Sequence, residues 1–132
     1  MRPTSARILV VDDFLLFRQL VRSILVGNPK LQIVGEASDG LEAVQKAQEL
    51  TPDLILMEIG LPSLSGIEAA RQIRKLVPHS RIIFLSKESS AEVVQEAMNL
   101  GASGYVQKAH AGTDLLVAVK AVLLGMKFVS ST

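Results

Sequence analysis

The chain has 132 residues, 48% hydrophobic and 20% charged, which suits one ordinary globular domain. With 14 Lys and Arg against 13 Asp and Glu, the formal net charge is +1, too weak a field to bind nucleic acid or an anionic membrane by itself. The lack of cysteine excludes disulfides, thiolate metal sites and thiol catalysis. No apolar stretch approaches the roughly 20 residues that cross a bilayer, and no apolar signal segment begins the chain, so we expect a cytoplasmic domain without membrane contact.

Five short apolar segments have the composition of strands that are buried on both faces of a sheet. Each is separated from the next by a segment of helical length, and this alternation predicts parallel pairing, right-handed crossovers and helices on both sides of one sheet. No linker or low-complexity stretch interrupts the pattern, so the sequence predicts a single domain over residues 1–132. The predicted strands are residues 7–11, 31–37, 53–57, 81–85 and 104–106.

The helices between these strands have recognisable starting points. In three of them a side chain that can cap the helix precedes a glutamate by three residues, as in a capping box. The first helix is predicted from about residue 14 to residue 26, and the last from about residue 113 to residue 124. The three capping pairs are Asp39 with Glu42, Ser65 with Glu68 and Ser89 with Glu92.

Charged and hydroxyl side chains follow the predicted strands at the sheet edge where ligands of such folds bind. Asp12 and Asp13 follow the first strand, and Glu58 follows the third. Three carboxylates without histidine or cysteine favour Mg²⁺, while the hydroxyl of Ser86 and the ammonium of Lys108, after the fourth and fifth strands, suit the oxygens of a phosphoryl group. Each residue alone is a common loop acid, cap or surface lysine, but their joint placement indicates a phosphoryl site.

Several of these segments resemble the motifs of response-regulator receiver domains. The resemblance covers almost the whole chain and is strongest for receivers that precede a LuxR-type helix-turn-helix. It implies a flavodoxin-like (βα)5 fold, an α/β doubly wound parallel sheet with strand order 2-1-3-4-5. The segments that carry it are residues 8–13, 52–62, 66–70 and 104–109, Ser86 and the ending 125–131.

The resemblance also implies a phosphorylation switch assisted by Mg²⁺. In the family an aspartate accepts the phosphoryl group, and the hydroxyl and aromatic switch residues move in response. Lys108 and Ala109 match the family only if the peptide between them is cis, which alanine makes costly at about 2.5–4 kcal/mol. No catalytic residue is assigned, and we do not expect an enzyme. The implied metal ligands are Asp12, Asp13, Glu58 and the Gly60 carbonyl, and the implied phosphoryl-contact and switch residues are Ser86, Tyr105 and Lys108.

Glu58 departs from the family pattern, because it stands at the position of the phosphate-accepting aspartate. The extra methylene advances the carboxylate by about an ångström, and a misplacement of that size costs roughly a hundredfold in rate. We therefore expect slow phosphorylation or none. The longer side chain would instead carry its single negative charge toward Lys108 and Ser86, partly imitating a phosphoryl group of charge about −1.5 to −2.

The leading interpretation is a receiver module of two-component signalling that accepts a phosphoryl group and regulates an output domain, which we expect to be transcriptional. A receiver-like interaction module that works without phosphate is the first alternative. A Mg²⁺-dependent phosphatase or a flavodoxin-like cofactor carrier is less favoured, since the expected second acid and the phosphate-cradling loop are both lacking.

The expected partners follow from this interpretation. A sensor histidine kinase would act on the module, and the surface of the fourth helix, fifth strand and fifth helix would contact partners or a second copy. No basic recognition helix is present, so we expect no DNA binding by this chain alone, and DNA contact through an output domain that it lacks.

Overall fold

A parallel sheet of six strands forms the centre of the protein, in a computed structural model that describes residues 5–130. The strand order is β2-β1-β3-β4-β5-β6, so the predicted flavodoxin-like order 2-1-3-4-5 is confirmed and a sixth strand is added at the β5 edge. All strand pairs are parallel. The strands are β1 (Ala6–Val11), β2 (Leu31–Ala37), β3 (Leu54–Met57), β4 (Arg81–Ser86), β5 (Gly104–Gln107) and β6 (Phe128–Val129).

Five α-helices cover the two faces of this sheet. Two separate apolar clusters fill the space between the sheet and its helices, as expected for strands that are buried on both sides. Helices α2, α3 and α4 contribute to one cluster, and helices α1 and α5 contribute to the other. The helices are α1 (Leu15–Leu25), α2 (Gly40–Leu50), α3 (Gly66–Leu76), α4 (Ala91–Asn99) and α5 (Ala111–Leu123), with a short 3₁₀ turn at Lys108–His110.

Strand β6 was not predicted, because two residues are too short to show an alternating pattern. Helix α5 is followed by Gly125 at φ +91°, a left-handed conformation that favours glycine, and the chain then turns back along β5. The backbone N–H of Phe128 donates to the Ser103 carbonyl (3.2 Å), and the N–H of Ser130 donates to the Tyr105 carbonyl (2.8 Å). The edge of β5 is therefore covered by the chain itself.

Two of the three predicted helix caps are confirmed. The side chains of Asp39 and Ser65 accept hydrogen bonds from the N–H groups three residues later. The third prediction is wrong by one residue: Ser90, and not Ser89, caps α4 by accepting from the N–H of Val93. With two adjacent serines, the start of the first turn at Ala91 decides which hydroxyl is within reach.

The cis peptide that the family match would require after Lys108 is absent, since residues 5–130 contain no cis peptide bond. An alanine follows the lysine, and a cis bond before a residue other than proline costs about 2.5–4 kcal/mol. The chain enters the 3₁₀ turn Lys108–His110 directly from β5.

Candidate functional site

The carboxyl ends of four neighbouring strands bring together four of the residues that the sequence predicted for the site. Asp12 directly follows β1, Glu58 directly follows β3, Ser86 is the last residue of β4, and Lys108 directly follows β5. The first three are buried, with exposed fractions of 2%, 4% and 0%. Buried charges are retained in folded proteins when they are paired, so the contacts among these groups determine what the site can do.

The Glu58 carboxylate is fixed by donors on one of its two oxygens. Glu58 Oε2 accepts hydrogen bonds from the Ser86 hydroxyl (2.5 Å), the Ile59 N–H (2.5 Å) and the Gly60 N–H (3.2 Å). The loop that supplies the two N–H groups packs closely against the start of α3, where a Cβ at Gly66 would collide with the Glu58 carbonyl. Glycine at 66 therefore allows the loop to hold Glu58 in place.

Lys108 lies between the two buried carboxylates. Its Nζ is 2.6 Å from Asp12 Oδ2 and 2.8 Å from Glu58 Oε1, and its side chain is 10% exposed. No well-aligned hydrogen bond from the described residues reaches Glu58 Oε1, so the nearby ammonium compensates that oxygen through charge. The ammonium therefore joins the strand ends of β1, β3 and β5 into one ion network.

The pKa values reflect this pairing. Burial by itself would raise the pKa of Glu58, but its contacts with Lys108, Ser86 and Gly60 outweigh burial and hold the pKa below its usual range. Burial would lower the pKa of Lys108, but the carboxylates of Asp12 and Glu58 raise it above its usual value. Both groups are consequently charged across the neutral pH range.

Two aromatic rings of the α1 region lie against the Lys108 ammonium, and the sequence analysis missed them. Nζ is 4.3 Å from the Phe17 ring centroid and 5.9 Å from that of Phe14, within cation–π range. The Nζ of Lys87 lies 5.7 Å from the same Phe14 ring. The i, i+3 spacing of two phenylalanines immediately after the acidic pair is the sequence signal that could have indicated this contact.

Asp13 does not join the other predicted metal ligands. Its side chain is exposed, whereas Asp12 Oδ1 turns inward and accepts the Phe14 N–H at 2.9 Å. Within residues 5–130, no group of three His, Cys, Asp or Glu side chains is arranged to hold a metal ion. Lys108 also occupies the space between Asp12 and Glu58, so this arrangement does not provide a ligand set for Mg²⁺.

The predicted switch residues form a chain of contacts that begins at Glu58. Ser86 Oγ donates to Glu58 and accepts from the N–H of Glu88 at 3.2 Å. The Glu88 carbonyl accepts a 2.7 Å hydrogen bond from the Tyr105 hydroxyl, and the Tyr105 ring is fully buried beside Phe84. Burial raises the pKa of Tyr105 to about 12, so its hydroxyl remains a donor.

This fold, with charged and hydroxyl side chains at the carboxyl ends of its strands, defines a phosphoryl-switch class of signalling domain. The family model for the response regulator receiver domain matches residues 8–120, and the chain belongs to that family. Receiver domains of this family take part in two-component signal transduction and generally bind Mg²⁺ for phosphorylation.

Relatives that contain a similar domain include proteins with different activities. The chain is 43% identical over 111 residues to a Thermotoga maritima protein-glutamate methylesterase/protein-glutamine glutaminase, covering 83% of the chain and 32% of the relative. It is 34% identical over 123 residues to the transcriptional regulatory protein DegU of Brevibacillus brevis, covering 93% of the chain and 52% of the relative. The chain thus spans about a third of the first protein and about half of the second, and both enzymes and transcriptional regulators carry similar domains.

A solved structure agrees with the fold. The crystal structure of a LuxR-family two-component response regulator from Aurantimonas sp. SI85-9A1 superposes with a TM-score of 0.89 at 35% identity, covering 95% of this chain and 89% of that chain. Separately, no helix within residues 5–130 has the length and apolar character needed to cross a membrane.

Proposed function

We propose that this chain is a two-component receiver module in which Glu58 holds the switch without phosphate. One observation carries the proposal: the Glu58 carboxylate contacts both groups that the family resemblance assigns to the phosphoryl group. Oε2 accepts from Ser86 at 2.5 Å, and Oε1 lies 2.8 Å from the Lys108 ammonium. The carboxylate thereby supplies, with one negative charge, the contacts that a phosphoryl group would make with more charge.

The same contacts oppose phosphorylation of Glu58. A nucleophilic carboxylate oxygen must approach the donor in line and with little misplacement. Glu58 Oε2 already accepts from three donors, and Oε1 is directed at the ammonium. Phosphoryl transfer to either oxygen would first require these contacts to break, which supports slow labelling or none.

The arrangement of Tyr105 supports a switch held in an activated-like state. Its ring is buried, and its hydroxyl is tied to the carbonyl of Glu88, whose N–H donates to Ser86. A change at Glu58 would first alter its hydrogen bond with Ser86, and then the position of residues 86–88. The hydrogen bond between Tyr105 and the Glu88 carbonyl would change as a result. If the Glu58 carboxylate makes more favourable contacts in one state of the switch than in the other, that state becomes the more populated one.

The proposed partners are a sensor histidine kinase and an output domain outside this chain, through which DNA would be contacted. The proposed contact surface is formed by α4, β5 and α5. On α4, Ala97 is buried and Val93 is packed against the core, so the exposed positions such as Gln95 on α4 and Val117 on α5 would contact a partner. Strand β6 lies against β5 and belongs to the same surface.

Glu58→Asp tests the proposal, with two readouts. Labelling by acetyl phosphate with Mg²⁺ is measured by intact mass. The state of the switch is measured by tyrosine fluorescence, because Tyr105 is the one tyrosine in the sequence and tryptophan is absent. We expect the aspartate variant to label at least about a hundredfold faster than the parent. Its unlabelled fluorescence should differ from that of the parent and return toward it after labelling.

Glu68→Asp is the matched control, since it makes the same chemical change at a half-exposed position on α3. It should reproduce the parent in both readouts. Equal labelling rates for the parent and Glu58→Asp would contradict the proposal and favour an ordinary phosphoryl switch at Glu58. If neither protein labels, the phosphoryl chemistry has been lost beyond this position, and the interaction module that works without phosphate is favoured.

A further inference from the structure

We infer that the Lys108 ammonium is the resident cation of this site, and that a divalent cation binds there only by displacing it. The inference deepens the proposed function and rests on it, because it states what controls access to the carboxylates that hold the switch. Its basis is the disagreement between the Mg²⁺ site that the family implies and the contacts that Asp12, Glu58 and Lys108 make.

Each carboxylate oxygen of Asp12 and Glu58 already lies against an N–H group, a hydroxyl or the Lys108 ammonium. Asp12 Oδ1 accepts the Phe14 N–H at 2.9 Å, and Glu58 Oε2 accepts from three donors. The remaining oxygens, Asp12 Oδ2 and Glu58 Oε1, are 2.6 Å and 2.8 Å from Lys108 Nζ. A Mg²⁺ ion needs oxygen ligands at about 2.0–2.1 Å in near-octahedral geometry, and the point from which both oxygens are reachable is held by the ammonium.

The charges give the same answer as the geometry. Two buried carboxylates share one ammonium, which leaves a net attraction for cations at the site. A divalent ion that entered beside Lys108 would be repelled by it at short range in a region with little water. Exchange of one cation for the other avoids this repulsion, whereas binding of both does not.

The aromatic rings favour the ammonium over a hydrated metal ion. The Phe17 ring centroid lies 4.3 Å from Nζ, and the Phe14 ring centroid lies 5.9 Å from it. These faces stabilise an ammonium by cation–π attraction but provide no hydrogen-bond acceptors for the waters that Mg²⁺ retains. Asp13, which would add a third carboxylate, is directed toward solvent.

The experiment is a titration with MgCl₂, followed by the backbone amide signals of Glu58, Ile59 and Gly60, against NaCl at matched ionic strength. We compare the parent chain, Lys108→Met and the control Lys87→Met, which removes an equal charge from a lysine that contacts Phe14 but neither carboxylate. Lys108→Met should be half-saturated at a Mg²⁺ concentration at least about tenfold lower than the parent, since it removes the competing charge. Lys87→Met should match the parent.

A second measurement needs no variant and applies even if Lys108→Met does not fold. In the parent, the Lys108 side-chain carbon signals should shift in step with the amide of Glu58 as Mg²⁺ is added, because one event moves both. A saturable shift at Glu58 with unchanged Lys108 signals would overturn the inference, as would equal Mg²⁺ affinities for the parent and Lys108→Met. Neither readout depends on the labelling rate or Tyr105 fluorescence of Glu58→Asp, so the inference and the proposed function fail separately.

Discussion

Charged side chains have different partners at the amino-terminal edge of the sheet, where the strands begin, and at the carboxyl-terminal edge, where they end. At the amino-terminal edge the partners are backbone groups: Arg7 Nη1 donates to the Leu50 carbonyl (2.6 Å), and Arg81 Nη1 donates to the Val122 carbonyl (2.6 Å). At the carboxyl-terminal edge Lys108 pairs with other ionised side chains instead. Arginines that satisfy helix ends stabilise the fold, whereas a network of mutually dependent buried charges has alternative arrangements and can respond to a ligand.

The first and largest expected effect comes from removing the central charge of the carboxyl-terminal edge. Lys108→Met leaves Asp12 and Glu58 buried without their cation, and losing one member of a buried ion network costs about 3–5 kcal/mol. We expect that loss in the free energy of unfolding in urea at neutral pH. Lys87→Met, at an exposed lysine, should change it by less than about 0.5 kcal/mol. A similar small effect for both variants would show that the network is not energetically coupled.

The second expected effect is the pH-dependent loss of the stability that the Glu58 charge contributes at the carboxyl-terminal edge. Glu58→Gln keeps the shape of the side chain but removes the charge that Lys108 contacts, and we expect a loss of about 2–3 kcal/mol at pH 7. Because the folded-state pKa of Glu58 is lowered, its charge stabilises the fold above the ordinary value of 4.5. That contribution disappears as the pH falls through the folded-state pKa.

Urea unfolding of the parent and Glu58→Gln at a series of pH values between 7 and 3 measures this difference. The two free energies of unfolding should converge as the pH falls below 4.5. A difference that stays constant over that range would mean that the Glu58 charge does not contribute to stability in the way the ion network requires.

The third and smallest effect belongs to the amino-terminal edge. Arg7→Met removes the hydrogen bonds to the carbonyls of Leu50 and Thr51 at the end of α2, for an expected loss of about 1–2 kcal/mol. In a Glu58→Asp background it should leave the rate of acetyl-phosphate labelling unchanged. Arg71→Met, in an exposed ion pair with Glu96, should cost less than about 1 kcal/mol. Slower labelling of the Arg7 variant would contradict the conclusion that the amino-terminal edge contributes only to the stability of the fold.

The sequence was sufficient to predict which backbone positions meet at the site. Apolar runs that end abruptly locate strand ends, and parallel topology then brings Asp12, Glu58, Ser86 and Lys108 to one edge. The five strands were predicted from the same apolar runs, whereas their order was implied by the resemblance to receiver domains. These features depend on chain-wide patterns that many residues specify together.

The features that the sequence did not predict depend on local choices. The sequence analysis grouped Asp12 and Asp13 as metal ligands, but Asp12 is buried and Asp13 is exposed. The alternation of neighbouring side chains along a strand is consistent with this difference. The spacing of Phe14 and Phe17 puts both rings on one face of α1, but the contact of Phe17 with Lys108 also requires the rotation of α1 and the path of a long side chain. The Ser90 cap differs from the predicted cap by one residue, and strand β6 is only two residues long.

Strand β6 has a consequence for the behaviour of the protein at high concentration. An uncovered strand at the edge of a sheet offers a row of unpaired N–H and carbonyl groups to strands of other molecules, which promotes aggregation. In this chain Phe128–Val129 runs along β5 and takes up hydrogen bonds on that side, and Ser130 Oγ adds a further tie by accepting from the Gln107 N–H at 3.2 Å and donating to Asp114 at 2.9 Å. Another copy of the protein could pair its backbone with β5 only after displacing β6, and the free edge that β6 leaves on this side is only two residues long.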